Sequence, residues 1–210
     1  MTPESEIATK VKSPSVTNIF SSVRWRRTQA SICMVMDVRP VRVMWVKTLK
    51  SRPKGKPFFM WFAFSDPHRG YQKDTIPKPH RASDAVVPPY LPDDAATRGD
   101  LAMYYDEIAR LDGVVGDCVE ELERQGVSDE TVIVFISDNG RPFPRCKTTL
   151  YDAGIKTPFI VKWPREVVKG STSKSLVSTV DLAPTFLDLA GVEAPKTFQG
   201  HSLATILRDP

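Results

Sequence analysis

The sequence predicts an α/β fold, and three observations predict it. Residues 131–136 (TVIVFI) form an apolar β-type run that stops abruptly on Ser137-Asp138-Asn139-Gly140. Residues 57–64 (PFFMWFAF) repeat that design, ending on Ser65-Asp66-Pro67-His68-Arg69-Gly70. Between them, residues 100–125 place apolar groups three or four residues apart, as a helix does. Unbroken Val, Ile and Phe suit strands buried on both faces in a parallel sheet, and helix alternating with strand is the pattern of an α/β domain.

The elements follow in chain order. Of 210 residues, 41% are apolar and 26% charged, a globular rather than disordered composition able to bury a core. The net charge of +4 is unevenly divided: residues 1–56 hold 12 Lys/Arg against 3 Asp/Glu, and residues 57–210 hold 17 against 22. The basic part carries an Arg24-Trp25-Arg26-Arg27 cluster and shows no sustained period before Val41-Arg42-Val43-Met44-Trp45-Val46. It reads as a polyanion-binding arm, a transit peptide or sequence foreign to the domain, so residues 1–55 are expected to stand apart from a domain at 56–210. Residues 32–36 are too short and too far in for a secretory signal, and no run reaches the length of a membrane span.

Residues 71–99, rich in Pro, Asp and Lys, read as a long surface loop, and such loops tend to bind. The helix of residues 100–125 uses Leu101, Tyr104, Tyr105, Ile108, Leu111, Val115, Val119 and Leu122, with Asp100 as its cap and Gly126 as its stop. Residues 157–164 form a third strand. Residues 176–180 extend the sheet or lead into a helix over 181–191, with Asp181 at its cap, Pro184 in its first turn and Gly191 at its end.

Two strand ends thus deliver His68 and the Asp138/Asn139 pair toward one edge, with Arg145 and Lys147 on the loop beyond. Open α/β sheets bind ligands at that edge, and a carboxylate beside a side-chain carbonyl suits a hard cation. A cation, an imidazole and an ammonium around one cavity would neutralise an oxyanion and protonate its leaving group. The substrate expected from this set is a sulfate ester, phosphate ester or sulfamate. Each element also has an ordinary reading: Asp-Asn-Gly is a turn sequence, a lone histidine a loop residue, a lysine among basic neighbours a solvated charge. His80 and His201 read as surface residues. Cys33, Cys118 and Cys146 are widely spaced and form no CxxC pair, which indicates neither a disulfide framework nor a zinc site.

At these residues the chain resembles the sulfatase family over about residues 56–208. The resemblance rests on residues 57–69 (PFFMWFAFSDPHR), 87–112 (VPPYLPDDAATRGDLAMYYDEIARLD), 131–144 (TVIVFISDNGRPFP), 147–151 (KTTLY) and 181–185 (DLAPT). The PFP after SDNG is similar to the branch acting on N-sulfated sugars. The resemblance implies an alkaline-phosphatase-like α/β/α sandwich with a mostly parallel sheet, incomplete at its amino-terminal side. It implies that Asp138 and Asn139 ligate calcium, that His68 contacts the sulfo group and assists the leaving group, and that Lys147 binds a sulfo oxygen. Arg141 and Asp66 are further candidates for substrate contact. The implied partner is a sulfated saccharide, not nucleic acid or a membrane, and oligomeric state is undetermined. Relatives are lysosomal, periplasmic or secreted.

The family nucleophile, a cysteine or serine oxidised to formylglycine in a C/S-x-P/A-x-R motif after an Asp-Asp pair, has no match at Cys33, Cys118 or Cys146, nor at Ser13-Pro14-Ser15 or Ser21-Ser22-Val23-Arg24. Asp93-Asp94 lies inside the matched loop and cannot stand in for the acidic pair. The expectation is therefore a truncated chain that holds an anion but lacks the attacking group, with a calcium shell left incomplete. Three readings stay open: a sulfatase-family hydrolase, a related phosphoryl hydrolase of the same superfamily, and a non-catalytic polyanion-binding fragment.

Overall fold

A computed structural model describes residues 31–35 and 41–210. The Arg24–Arg27 cluster and the expected basic arm lie outside the described residues. Strand β1 (Ser31–Val35) pairs in parallel with β2 (Phe58–Phe62), Ser31 opposite Phe58 and Val35 opposite Phe62. Helix α1 (Val41–Ser51) connects them. Helix α2 (Ala95–Arg124) follows the long loop, and β3 (Ile133–Ile136) then pairs antiparallel with β4 (Phe159–Lys162). The short helices α3 (Asp152–Ile155), α4 (Leu182–Leu189) and α5 (Ala204–Arg208) complete the order. No helix among the described residues is long and apolar enough to cross a membrane.

The mostly parallel sheet expected above is not what is seen: the described strands form one parallel and one antiparallel pair. The strands are accordingly less buried than their apolar sequences imply. Trp61 on β2 is 46% exposed and Ile160 on β4 is 59% exposed, because a two-stranded pair leaves part of its surface uncovered.

Helix α2 is the spine. Its carboxyl half packs Val114, Cys118 and Leu122 against Trp45 and Leu49 of α1, with Phe58, Met60, Phe62 and Ile133 of the strands around them. Trp45 stacks on Phe62 with ring centroids 4.8 Å apart. Burial of each such side chain stabilises the fold by about 1.5–3 kcal/mol. Trp45 and Leu49 of α1 therefore share a core with the later chain. Its amino half meets Ala85, Phe143 and fully buried Cys146 through Leu101, with Tyr71, Tyr90, Tyr104 and Tyr105 around them. That second core fastens loops rather than strands.

Helix α2 starts five residues before the expected position, and its cap lies six residues before the expected one. Asp94, not Asp100, caps it, its Oδ1 accepting the Thr97 N–H at 2.8 Å and satisfying an amide the first turn leaves open. The predicted stop holds. Gly126 takes φ +68°, its N–H donates to the Glu123 carbonyl at 2.9 Å, and Val127 N–H reaches the Leu122 carbonyl at 3.1 Å. Those two bonds, with Val127 and Leu122 in one core, make a Schellman closure that needs a left-handed residue.

Residues 176–178 join no strand, and residues 179–181 form a short 3-10 turn before α4. Asp181 makes no side-chain cap to α4. Its carboxylate instead accepts the N–H groups of Ser178 (2.8 Å) and His201 (2.9 Å), which ties the last segment back to the helix start.

Candidate active site

Strand β2 ends at Phe62, and the chain turns at once: His68 N–H donates to the Ser65 carbonyl at 2.8 Å across a cis Asp66–Pro67 bond. His68 is exposed, and its Nδ1 lies 3.1 Å from the Arg69 carbonyl. A carbonyl only accepts, so that contact puts the proton on Nδ1 and leaves Nε2 open to solvent chemistry.

The residues flanking His68 are pinned to helix α2. The Asp66 carboxylate, 8% exposed, receives two bonds from Arg110, Nε to Oδ2 at 2.6 Å and Nη2 to Oδ1 at 2.8 Å. Arg110 Nη2 also donates to buried Glu107 at 2.7 Å. Burial first, and then the hydrogen bond and charge of Asp66, push the Glu107 carboxyl up to about 7, while the Gln72 N–H acts the other way. One guanidinium thus faces two carboxyls, of which Glu107 is the one held toward its protonated form. Asp66 points its oxygens at Arg110, which makes it a brace for the turn.

Beyond β3, Asp138 is exposed and Asn139 half-buried, and Asn139 Nδ2 donates to Asp138 Oδ1 at 2.5 Å. Gly140 comes next because nothing larger fits. A Cβ there would meet the Ala153 carbonyl oxygen at 2.1 Å and Gly154 Cα at 2.6 Å, both backbone. Gly140 N–H uses that closeness to bond the Gly154 carbonyl at 3.0 Å, closing the loop of residues 141–153 at its base.

Inside this loop, Phe143 and Lys147 both donate backbone N–H groups to the Arg141 carbonyl, at 2.8 and 3.1 Å. Arg145 and Thr148 take positive φ, +62° and +69°, the strain that folds so short a segment back on itself. Arg141 and Lys147 therefore leave from the two ends of one tight turn whose middle, Phe143 and Cys146, is buried. Arg141 Nη2 donates to Tyr90 Oη at 2.6 Å, and Tyr90 Oη lies 3.2 Å from Cys146 Sγ. Tyr90 comes from the Pro-rich loop, so two loops meet here.

Arg69 joins the histidine turn to this loop. Its Nε donates to the Pro142 carbonyl at 2.8 Å, its Nη2 bonds Asp100 on α2 at 2.6 Å, and its guanidinium lies 4.9 Å from the Phe143 ring centroid. Sequence reasoning missed this residue, although its place directly after His68 was a signal. No hydrogen bond or ion pair directly joins His68 to Asp138, Asn139 or Lys147 among the described residues. Arg69 also completes Ser65-Asp66-Pro67-His68-Arg69, which fits the spacing C/S-x-P/A-x-R literally and corrects the expectation that no serine does. In the structure that arginine is occupied by Asp100 and Pro142.

Asp138 and Asn139 offer two oxygen donors at one point. No group of three His, Cys, Asp or Glu able to hold a metal exists among the described residues. Calcium takes six to eight oxygens, so the donor set does not close a calcium site.

The described residues form a helix-braced α/β fold that carries an imidazole, a pair of oxygen donors and a loop with cationic side chains. The chain belongs to the sulfatase family, whose profile, described as Sulfatase, matches residues 14–192. Human N-sulphoglucosamine sulphohydrolase is 35% identical over 163 residues, 67% of this chain and 32% of that protein. A structure from the glycosaminoglycan-metabolism locus of Bacteroides thetaiotaomicron superposes with TM-score 0.68 at 23% identity, over 80% of this chain and 38% of that one. Another, in complex with its substrate D-glucosamine-2-N,6-O-disulfate, gives TM-score 0.64 at 21% identity, over 80% and 51%. These likenesses show the alkaline-phosphatase-like sulfatase fold, and the chain spans about a third of the length of its human relative.

Proposed function

We propose that this chain is the part of a sulfatase that holds and protonates a sulfated sugar, either a sulfuric ester or an N-sulfoglucosamine sulfamate. With both ring nitrogens protonated, His68 keeps its Nδ1–H on the Arg69 carbonyl and gives the Nε2 proton to the leaving oxygen or nitrogen, returning to the neutral Nδ1–H form. Lys147 and Arg141 neutralise sulfo oxygens, as cations on a fixed turn do with little reorganisation. Asp66 acts through Arg110 as a positioning residue. Asp138 and Asn139 would supply oxygen donors to a calcium ion whose remaining ligands lie elsewhere.

The observation that carries this reading is the Arg69 bridge, which ties the histidine turn to the loop bearing Arg141 and Lys147. The sulfated sugars named for the relatives support the choice of substrate. The nucleophile has no assigned residue in this chain, so binding is expected without turnover.

Titration calorimetry with N-sulfoglucosamine is the test. Binding is expected to weaken about ten-fold in Lys147→Ala, the loss of one charge-assisted bond. Equal affinity in Lys147→Ala and His68→Ala would sink the assignment. Turnover that vanishes in His68→Ala would show instead that the chain supplies its own attacking group.

A further inference from the structure

The loop that leads into helix α2 is stiffened by proline, and one of its side chains reaches the candidate site. Pro88, Pro89 and Pro92 surround Tyr90, and the Leu91 N–H donates to the Pro88 carbonyl at 3.0 Å, so Pro89 and Tyr90 form the corner of a tight turn. Proline fixes its own φ, which leaves that corner little freedom. The loop is also tied to the helix: Val86 N–H bonds Tyr105 Oη at 3.2 Å, Arg98 Nη1 donates to the Ala85 carbonyl at 3.1 Å, and Asp94 caps the first turn. Tyr90 thus arrives from a fixed platform.

The Tyr90 hydroxyl meets the turn of residues 141–147 at two points. Arg141 Nη2 donates to Tyr90 Oη at 2.6 Å, and fully buried Cys146 places its Sγ 3.2 Å from the same oxygen. A third contact sets the direction of these bonds, because Cys146 Sγ donates to the Pro144 carbonyl at 3.4 Å. The guanidinium only donates and the carbonyl only accepts, so the thiol proton goes to Pro144 and the phenol proton to sulfur. The run is Arg141 N–H to Tyr90 O–H to Cys146 S–H to Pro144 carbonyl, each bond polarising the next. The phenol oxygen is left with its lone pairs toward Arg141.

We infer that Tyr90 is a positioning residue for sulfo binding, its hydroxyl holding the Arg141 guanidinium in place before the anion arrives. The inference rests on the reading of Arg141 as a cation that neutralises sulfo oxygens. An arginine side chain held by nothing gives up many rotamers when it binds an anion, and one bond made beforehand removes that cost. The choice of partner matters. Arg69, Arg98, Arg110 and Arg124 each bind a carboxylate, which cancels their charge within the fold. Arg141 bonds a neutral hydroxyl instead, so it is fixed and keeps its charge for an anion from outside.

The test is a double-mutant cycle, with N-sulfoglucosamine titrated into the full chain by calorimetry. Tyr90→Phe removes one oxygen and keeps the ring in the second core, so its melting temperature is expected to stay close to that of the parent. Affinity is expected to fall about ten-fold in Tyr90→Phe and at least as far in Arg141→Met. In the Arg141→Met background, Tyr90→Phe is expected to change nothing, because its effect runs through the guanidinium. A Tyr90→Phe chain that binds as the parent does, while Arg141→Met binds weakly, overturns the inference and leaves the site standing. An equal loss from Tyr90→Phe in both backgrounds also overturns it, since the hydroxyl then serves the loop and not Arg141. An Arg141→Met chain that binds as the parent does, or a parent that binds no N-sulfoglucosamine, overturns the reading of Arg141 and the inference with it.

Discussion

Arg69 Nε donates to the Pro142 carbonyl across 73 residues of sequence, at 2.8 Å, while the same guanidinium holds Asp100 of helix α2. Three donors of one planar group thus set the distance between two loops and a helix, which a lysine ammonium on a single stem cannot do.

Arg69→Lys therefore keeps the attraction to Asp100 and loses the tie to Pro142. Its expected effects are a destabilisation of about 1 kcal/mol in chemical denaturation and faster amide exchange at Phe143 and Lys147. Exchange unchanged from the parent chain would show that the loop holds itself.

The Asp66–Arg110–Glu107 cluster makes stability depend on pH. The Glu107 carboxyl is raised by burial and by Asp66, so the folded state keeps a proton that the unfolded chain releases near 4.5. The stabilisation is complete below that value and is lost as pH rises through about 7. Glu107→Gln, a permanent donor to Asp66, is expected to flatten the denaturation midpoint across this window.

Arg110→Ala tests the same cluster from the other side. It leaves two buried carboxyls without their cation, and the expected loss is about 3–5 kcal/mol, read as a large fall in melting temperature. A loss under about 1 kcal/mol would mean that water already serves these groups.

Gly140→Ala forces a methyl into the backbone of Ala153 and Gly154. The expected cost is about 2–3 kcal/mol or more, since carbonyl and Cα atoms cannot swing aside as a side chain can. Thermal melting of the variant checks it.

Calcium affinity is expected to be weak, in the range of millimolar sites or poorer, because two donors leave most of the shell to water. Asp138→Ala should abolish what binding calorimetry detects. An undiminished signal would remove Asp138 from the site.

Much of this architecture was legible in the residues. The 131–136 run became β3 because β-branched and aromatic side chains favour extended backbone, and Gly126 ended α2 because only glycine takes its left-handed turn without strain. The cap was missed because Asp94 and Asp100 are the same residue type, and only the fold shows which one meets an open amide. His80 is exposed, as the sequence reading had it, but its bond to Asp106 was not legible, because that partner lies 26 residues away on a helix face. Arg69 was hidden because its role is to span loops, and periodicity carries no information about distant partners.

By itself the sequence determined the local elements, the family, and the residue types brought to the candidate site, since these follow from backbone propensity and from motifs only a few residues long. Tertiary structure decided which strands pair, which carboxylates are braces, and which loops meet, because each depends on contacts between segments that folding alone brings within hydrogen-bond reach.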